Sequence, residues 1–235
     1  MTKIRFDNVY YKYHYDDFAV FDGLSFTLDE AVNSVWCDVQ CGKGTLCRLL
    51  TGELKAGKGQ IYLDELPLDG ITAAERGILY LTKTPTLFEH KSVLYNVAYP
   101  LAVRKVAGRE REKAASEALE KLGIAELSKV KTCKLSTDER RLVALARGLT
   151  VPRNVVLLDD FFVQGGNANT AFDSFDQNAV FDLWKDATKV VLTADKRLLT
   201  GKSVVLDGGK CVYYGDAAGA AECAESCLIT ADVTN

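Results

Sequence analysis

Residues Cys37 to Leu46 read CDVQCGKGTL, and this stretch decides how the rest of the chain is understood. It follows a strand-like run, Val32 to Trp36, and opens a helix-like segment, Leu46 to Leu54. A strand, a Gly-bearing turn and a helix in that order present backbone N–H groups and the positive end of a helix to an anion. Gly42 and Gly44 let the backbone approach a phosphate closely. Lys43 can reach terminal phosphates as a mobile point charge, and Thr45 offers a hydroxyl. The phosphate-loop pattern G-x-x-x-x-G-K-[ST] has Gly where Cys37 stands and Ser or Thr where Gly44 stands. The absent hydroxyl is the one that reaches Mg²⁺. Gln40 occupies a position that is usually Gly, and a positive φ there would cost about 1–2 kcal/mol. Taken alone, the stretch is either a nucleotide site or a Gly-rich turn with a solvated lysine.

The bulk numbers narrow the classes. A chain of 235 residues, 48% of them hydrophobic, has room for one large domain or two small ones with a sizeable core. A net charge of −3 gives no general pull toward nucleic acid, so none is expected as a partner. The start, MTKIRFDNVYY, alternates apolar and polar residues and shows no signal-peptide pattern. No apolar run approaches the roughly 18 residues of a membrane span, so a soluble chain able to dock on a membrane protein is expected. The seven Cys are an odd number without C-x-x-C spacing, and only His14 and His90 accompany them. They read as reduced, buried thiols of a cytosolic protein rather than as disulfides or a metal site.

Outward from the loop, the first 35 residues alternate as β structure in IRFDNVYYKY and LSFTLDE. GQIYLDELPLDG reads as a strand and turn, and RGILYLTKTPTLF as an apolar strand stopping at Pro85. From Val106 to Thr150 the pattern is mostly helical. REREKAASEALEKLG should stop at Gly123, and Ser136-x-x-Glu139 matches a capping box. NVVLLDD is a continuous apolar run, as in a strand buried on both faces of a parallel sheet. KVVLTAD and KSVVLDGGKCVYYGD supply further strands. Ala217 to Asn235 is rich in Ala and Cys and carries little signal. Asp159 and Asp160 close the NVVLLDD run, where carboxylates flank the ligand crevice of a parallel sheet. One can hold Mg²⁺ and the next can orient an attacking water. An ordinary acidic strand end is the plainer alternative.

The order of these pieces, from about residue 3 to 216, resembles an ATP-binding cassette (ABC) transporter ATPase. VYYKY, ending in Tyr13, is similar to the aromatic loop that stacks adenine. CDVQCGKGTL lies in the Walker A position, with Gln40, Cys41, Gly42, Lys43, Gly44 and Thr45 as candidate nucleotide contacts. ILYLTKTPTLFEHKSVLYNVAYPL resembles the Q-loop and the start of the helical subdomain. KLSTDERRLVALARGLT is similar to the signature region, with Ser136 facing nucleotide on an opposite subunit. PRNVVLLDD resembles Walker B, with Asp159 as Mg²⁺ ligand, and VVLTAD holds the place of the switch-histidine strand. The resemblance implies ATP and Mg²⁺ as ligands, membrane permease subunits and a second ABC ATPase chain as partners, and a cytoplasmic location on the inner face of the membrane. It implies a P-loop NTPase α/β fold over residues 1–235: a three-layer core, an antiparallel β subdomain and a helical subdomain near residues 88–150. Phe88, Leu94, Tyr95 and Tyr99 are candidate apolar contacts to a permease, or ordinary subdomain core.

The departures from the family pattern are as informative as the match. Lys83 stands where the family has Gln, and two cations close together repel. Leu-Ser-Gly-Gly-Gln reads here as Leu135-Ser136-Thr137-Asp138-Glu139, which places a carboxylate where phosphate is expected. Asp160 replaces the catalytic Glu and is shorter by roughly one C–C bond, about 1.5 Å. A displacement of ~1 Å can cost ~10²-fold in rate. Ala194 replaces the switch His, and the D-loop pattern is absent from Val163 to Gly166. These losses imply a degenerate nucleotide-binding subunit with weak or absent hydrolysis. A working ATPase in which Asp160 and Lys83 serve as altered catalytic groups is the alternative. A nucleotide kinase, suggested by Gly-Lys-Gly-Thr, and a soluble regulatory ABC protein are further alternatives.

Overall fold

A computed structural model describes residues 1–38, 41–163 and 177–233. Gln40 and the residues from 164 to 166 of the expected D-loop lie outside the described residues. Along the chain run β1 (Ile4–Tyr11), β2 (Phe21–Leu28), β3 (Val32–Cys37), α1 (Lys43–Thr51), β4 (Lys58–Leu63), β5 (Leu66–Pro67) and β6 (Ile78–Thr82). Then come α2 (Val93–Val103), α3 (Gly108–Lys121), α4 (Thr137–Leu149), β7 (Val155–Asp159), α5 (Gln177–Asp182), β8 (Thr188–Thr193), β9 (Lys202–Asp207), β10 (Lys210–Asp216) and α6 (Ala217–Val233). The chain divides into two compact units, one of residues 1–80, 153–162 and 186–235, the other of residues 81–152 and 163–185.

The first unit holds a six-stranded sheet in the order β10-β9-β3-β8-β7-β6, whose last strand runs on into the second unit. The pairs β3–β8, β3–β9 and β7–β8 are parallel, and β10 is antiparallel to β9. Strand β7 is buried at its first four residues and β8 at all six, as a strand covered on both faces must be. Side chains alternate across the sheet with a period of two. Val35, Cys37, Val204 and Leu206 face one way and join Leu46, Leu49 and Leu50 of α1 in the main core. Trp36 and Val205 face the other way, against Ala220 and Ala224 of α6. The Ala-rich tail, mute in the sequence, thus forms the helix that covers the second face, where small side chains permit close packing. A separate sheet, β2-β1-β4-β5, is antiparallel throughout and contributes Ile4, Phe6, Phe26 and Leu28 to the same core. The expected layers and antiparallel part are therefore present.

The second unit is helical, with α2, α3 and α4 packing pairwise. Helix α3 stops just before Gly123, whose φ of 67° is the left-handed conformation that glycine adopts without penalty. Helix α4 begins with the capping box expected at Ser136: its hydroxyl accepts from Glu139 N, and Glu139 Oε2 accepts from Ser136 N. Helix α2 begins at Val93, earlier than the periodicity suggested, because Pro100 masks its pattern. Pro100 lies in the last turn of α2, whose end follows at Val103. Among the described residues, no helix is long and apolar enough to cross a membrane.

Candidate nucleotide site

The site lies in the first unit, where the ends of β3, β7 and β8 meet the start of α1. Tyr13, Cys37, Gly42, Lys43, Asp160 and Ala194 are among the residues lining a cleft of about 540 Å³. That size falls within the roughly 300–1,000 Å³ of small-molecule sites. Gly42 is the N-cap of α1 and has φ 92°. A Cβ at Gly42 would lie 2.8 Å from the Phe21 ring, so this glycine is obligatory on two counts. No side chain caps α1, so the amides of its first turn remain available to an anion. Gly44 is different. It has no positive φ, and a Cβ there would meet nothing within 4 Å.

The positive charge of the loop is already engaged. Lys43 Nζ forms an ion pair with Asp160 and lies 3.2 Å from Asp159 Oδ1. Burial disfavours the Lys43 ammonium, yet the hydrogen bond it donates to Asp160 and the charges of both acids outweigh that and raise its pKa. Asp160 has φ 47°, a conformation that Asp tolerates better than most residues. Its N–H donates to Leu192 O at 2.9 Å, which fixes the turn after β7 onto β8. Asp159 Oδ2 accepts from the Tyr80 hydroxyl at 2.7 Å. Oδ1 is buried and takes no hydrogen bond from the described residues. A buried carboxylate oxygen whose only ion-pair partner among the described residues is the loop lysine suits a hard divalent cation, so the donor chemistry fits Mg²⁺.

Thr45 does not supply the hydroxyl missing at Gly44. Its Oγ1 lies 3.0 Å from the Tyr13 hydroxyl, and Arg48 Nη1 donates to that same Tyr13 oxygen at 3.3 Å. Tyr13 is thereby anchored at the cleft with its ring edge-on to Tyr11. Ala194 lines the cleft with no imidazole to offer.

The cysteines require a correction. Cys37 and Cys41 are joined as a disulfide across the loop, with Cα atoms 5.8 Å apart, rather than lying as reduced thiols. Their Cα separation lies within the span that a disulfide bridges. The other five cysteines form no disulfide. Cys47 is fully buried on α1, and desolvation pushes its thiol well above the ordinary value.

Lys83 and Ser136 belong to the second unit. There the Lys83 carbonyl accepts from Arg141 Nε at 3.0 Å, and Arg141 Nη2 donates to Val163 O. Asp138 pairs with Arg141 at 3.5 Å, so its charge is partly compensated within α4. Phe88, Tyr95 and Tyr99 are each about two-fifths exposed and touch ring to ring, with centroids 4.6–6.2 Å apart. Tyr95, Tyr99 and Leu94 line a shallow groove along α2.

Two important residues escaped the sequence reading. Tyr80 sits at the third position of β6 and could be placed beside Asp159 only once the strand order was known. Arg76 is buried in a segment that reads as a polar loop. Its guanidinium donates to the carbonyls of Leu49, Leu50, Leu68 and Ile71, closing the C-terminal end of α1.

Comparison with known proteins agrees with this geometry. A family model described as "ABC transporter" matches residues 40–163, just over half of the chain. The molybdate/tungstate import ATP-binding protein WtpC of Archaeoglobus fulgidus is 38% identical over 119 residues, which is 51% of this chain and 49% of that protein. The uncharacterized ABC transporter ATP-binding protein YdcT of Escherichia coli is 34% identical over 158 residues, 67% of this chain and 46% of that protein. The chain thus matches about half the length of these curated relatives. Among solved structures, an ATP-binding cassette of an ABC transporter in its ADP conformation has a TM-score of 0.75 at 22% identity, covering 94% of each chain. A subunit of the cbiONQ ABC transporter complex of Clostridium perfringens has a TM-score of 0.72 at 20% identity, covering 97% of this chain and 92% of the other. These two neighbours establish the fold, and the family match over the loop and the paired acids carries the assignment further: the chain belongs to the ABC transporter ATP-binding family.

Proposed function

We propose that the chain is a degenerate nucleotide-binding subunit of an ABC transporter, with weak or absent ATP hydrolysis of its own. The observation that carries this reading is the engagement of Lys43 by Asp159 and Asp160. ATP must draw Lys43 away from two carboxylates, and the residue after it contributes no hydroxyl in return. The first-turn amides of α1 would hold phosphate oxygens, and Tyr13 would flank the base. Asp159 is the residue suited to hold Mg²⁺, which when bound neutralises phosphate charge. Asp160 is short for a general base, and Ala194 leaves the γ-phosphate without an imidazole partner. A second reading, a working ATPase, draws support from the place of Asp160 in the cleft, where it could activate a water.

In the same proposal the subunit docks on membrane permease subunits, pairs with a second ABC ATPase chain, and sits on the cytoplasmic face of the membrane. The exposed Phe88, Tyr95 and Tyr99 and the groove beside them support a permease contact. WtpC carries "import" in its name, which favours an importer.

The test is calorimetry of ATP binding with and without Mg²⁺, beside Lys43→Ala, followed by turnover with and without a permease partner. Binding that is lost in Lys43→Ala, with negligible turnover, is expected. Robust Mg²⁺-dependent turnover that Lys43→Ala abolishes would sink the degenerate reading and establish the second.

A further inference from the structure

We propose that Tyr80 is a positioning residue, whose hydroxyl holds Asp159 Oδ2 so that Oδ1 stays turned toward Lys43 and toward a divalent cation arriving with the nucleotide. The inference rests on the nucleotide-binding reading and deepens it.

Strand β6 lies beside β7 in the sheet, which brings Tyr80 next to the last residue of β7. The Tyr80 hydroxyl donates to Oδ2 at 2.7 Å, a short and well-formed bond to a carboxylate. Among the described residues no hydrogen bond reaches Oδ1, and its ion-pair partner is Lys43 Nζ at 3.2 Å. One oxygen is therefore clamped by a neutral donor and the other is reserved for positive charge. The χ2 torsion of a carboxylate is broad, so without the clamp the carboxylate plane would tilt and carry an oxygen away from the place beside Lys43. Tyr80 is itself held, with its ring against the core and its hydroxyl against the Cys47 thiol. The clamp matters more here than where a hydroxyl follows the loop lysine. With glycine at position 44, metal retention leans more heavily on the orientation of Asp159. Hydrogen bonds that orient a ligating carboxylate are worth ~10–100-fold in metal affinity.

The experiment titrates Mg²⁺ into the chain with ADP bound, by calorimetry, for the wild type and Tyr80→Phe, alongside ADP binding without metal. Mn²⁺ with electron paramagnetic resonance counts bound metal independently. We expect Tyr80→Phe to bind metal-free ADP like the wild type while its metal affinity drops ~10–100-fold. Unchanged metal affinity overturns the inference. So does an equal loss of metal-free and metal-bound ADP affinity, which marks a merely structural role. Absence of ADP binding to the wild type overturns the nucleotide reading itself, and the inference with it. A second measurement needs no variant. With tyrosine labelled at Cζ, Mg²⁺ added to the ADP-bound wild type should shift a resonance that ADP alone leaves in place, and no shift overturns the clamp.

Discussion

Lys43 Nζ lies 3.2 Å from Asp159 Oδ1, on the side of the carboxylate opposite Tyr80. The loop lysine therefore bridges two acids at the end of β7. Removing it leaves Asp159 and Asp160 without the cation they share. Lys43→Met should lower stability by about 1–3 kcal/mol, the cost of stranding partly buried charged groups. The pKa of Lys43 is raised above its ordinary 10.5. Its contribution is fully present below pH 10.5 and is lost as pH rises through the raised folded value. Unfolding free energies of wild type and Lys43→Met, measured from pH 8 upward, should converge only above that ordinary value. Convergence already at pH 9 would contradict the ion pair.

Gly44 and Gly42 should respond in opposite ways to a side chain. Gly44→Ser fills open space on an ordinary helical backbone and should raise stability by a few tenths of a kcal/mol, up to about 0.5, from helix propensity alone. It also restores a hydroxyl beside Lys43, so Mg²⁺–ATP binding should tighten relative to metal-free ATP in calorimetry. Gly42→Ala must accept a left-handed conformation and a clash with Phe21, costing at least about 1–2 kcal/mol. A gain in stability for Gly42→Ala would contradict this account of the loop.

Arg76 should prove one of the most sensitive positions away from the site. Its guanidinium donates to four backbone carbonyls around the end of α1, and among the described residues no carboxylate forms an ion pair with it. Arg76→Met strands those oxygens and should cost about 3 kcal/mol or more, at roughly 1.5–3 per hydrogen bond to a charged group. Denaturant unfolding measures it. Arg76→Lys should recover little, because one ammonium cannot reproduce the fork.

The thiols give a chemical test of the loop. The denatured, unreduced chain should titrate five thiols with a disulfide reagent, and seven after reduction. In the folded chain the exposed Cys133 should alkylate first. Cys47 should alkylate last at neutral pH, because burial keeps it protonated. Early modification of Cys47, read by mass spectrometry, would contradict its placement beneath the loop.

By itself the sequence determined most of the strands and the helices α1, α3 and α4. Val155–Leu158 is a continuous run of valine and leucine of strand length, typical of a strand buried on both faces. Ser136 and Glu139 carry their cap within four residues. The glycines and lysine of CDVQCGKGTL announce an anion site because the chemistry is local to one turn. Tertiary structure decided what depends on strand order and on chain segments meeting. Tyr80 and Asp159 are 79 residues apart and touch because their strands are neighbours. Thr45 is claimed by Tyr13 across 32 residues, Arg76 caps a helix that it does not belong to, and α6 packs on a sheet face that its Ala-rich sequence does not reveal. Even the Cys37–Cys41 disulfide, between residues only four apart, depends on how close the two Cα atoms come, which spacing does not encode. Local periodicity and turn chemistry are written in consecutive residues. Which side chains share a site is a property of the packed sheet, where contact depends on strand neighbours and not on separation along the chain.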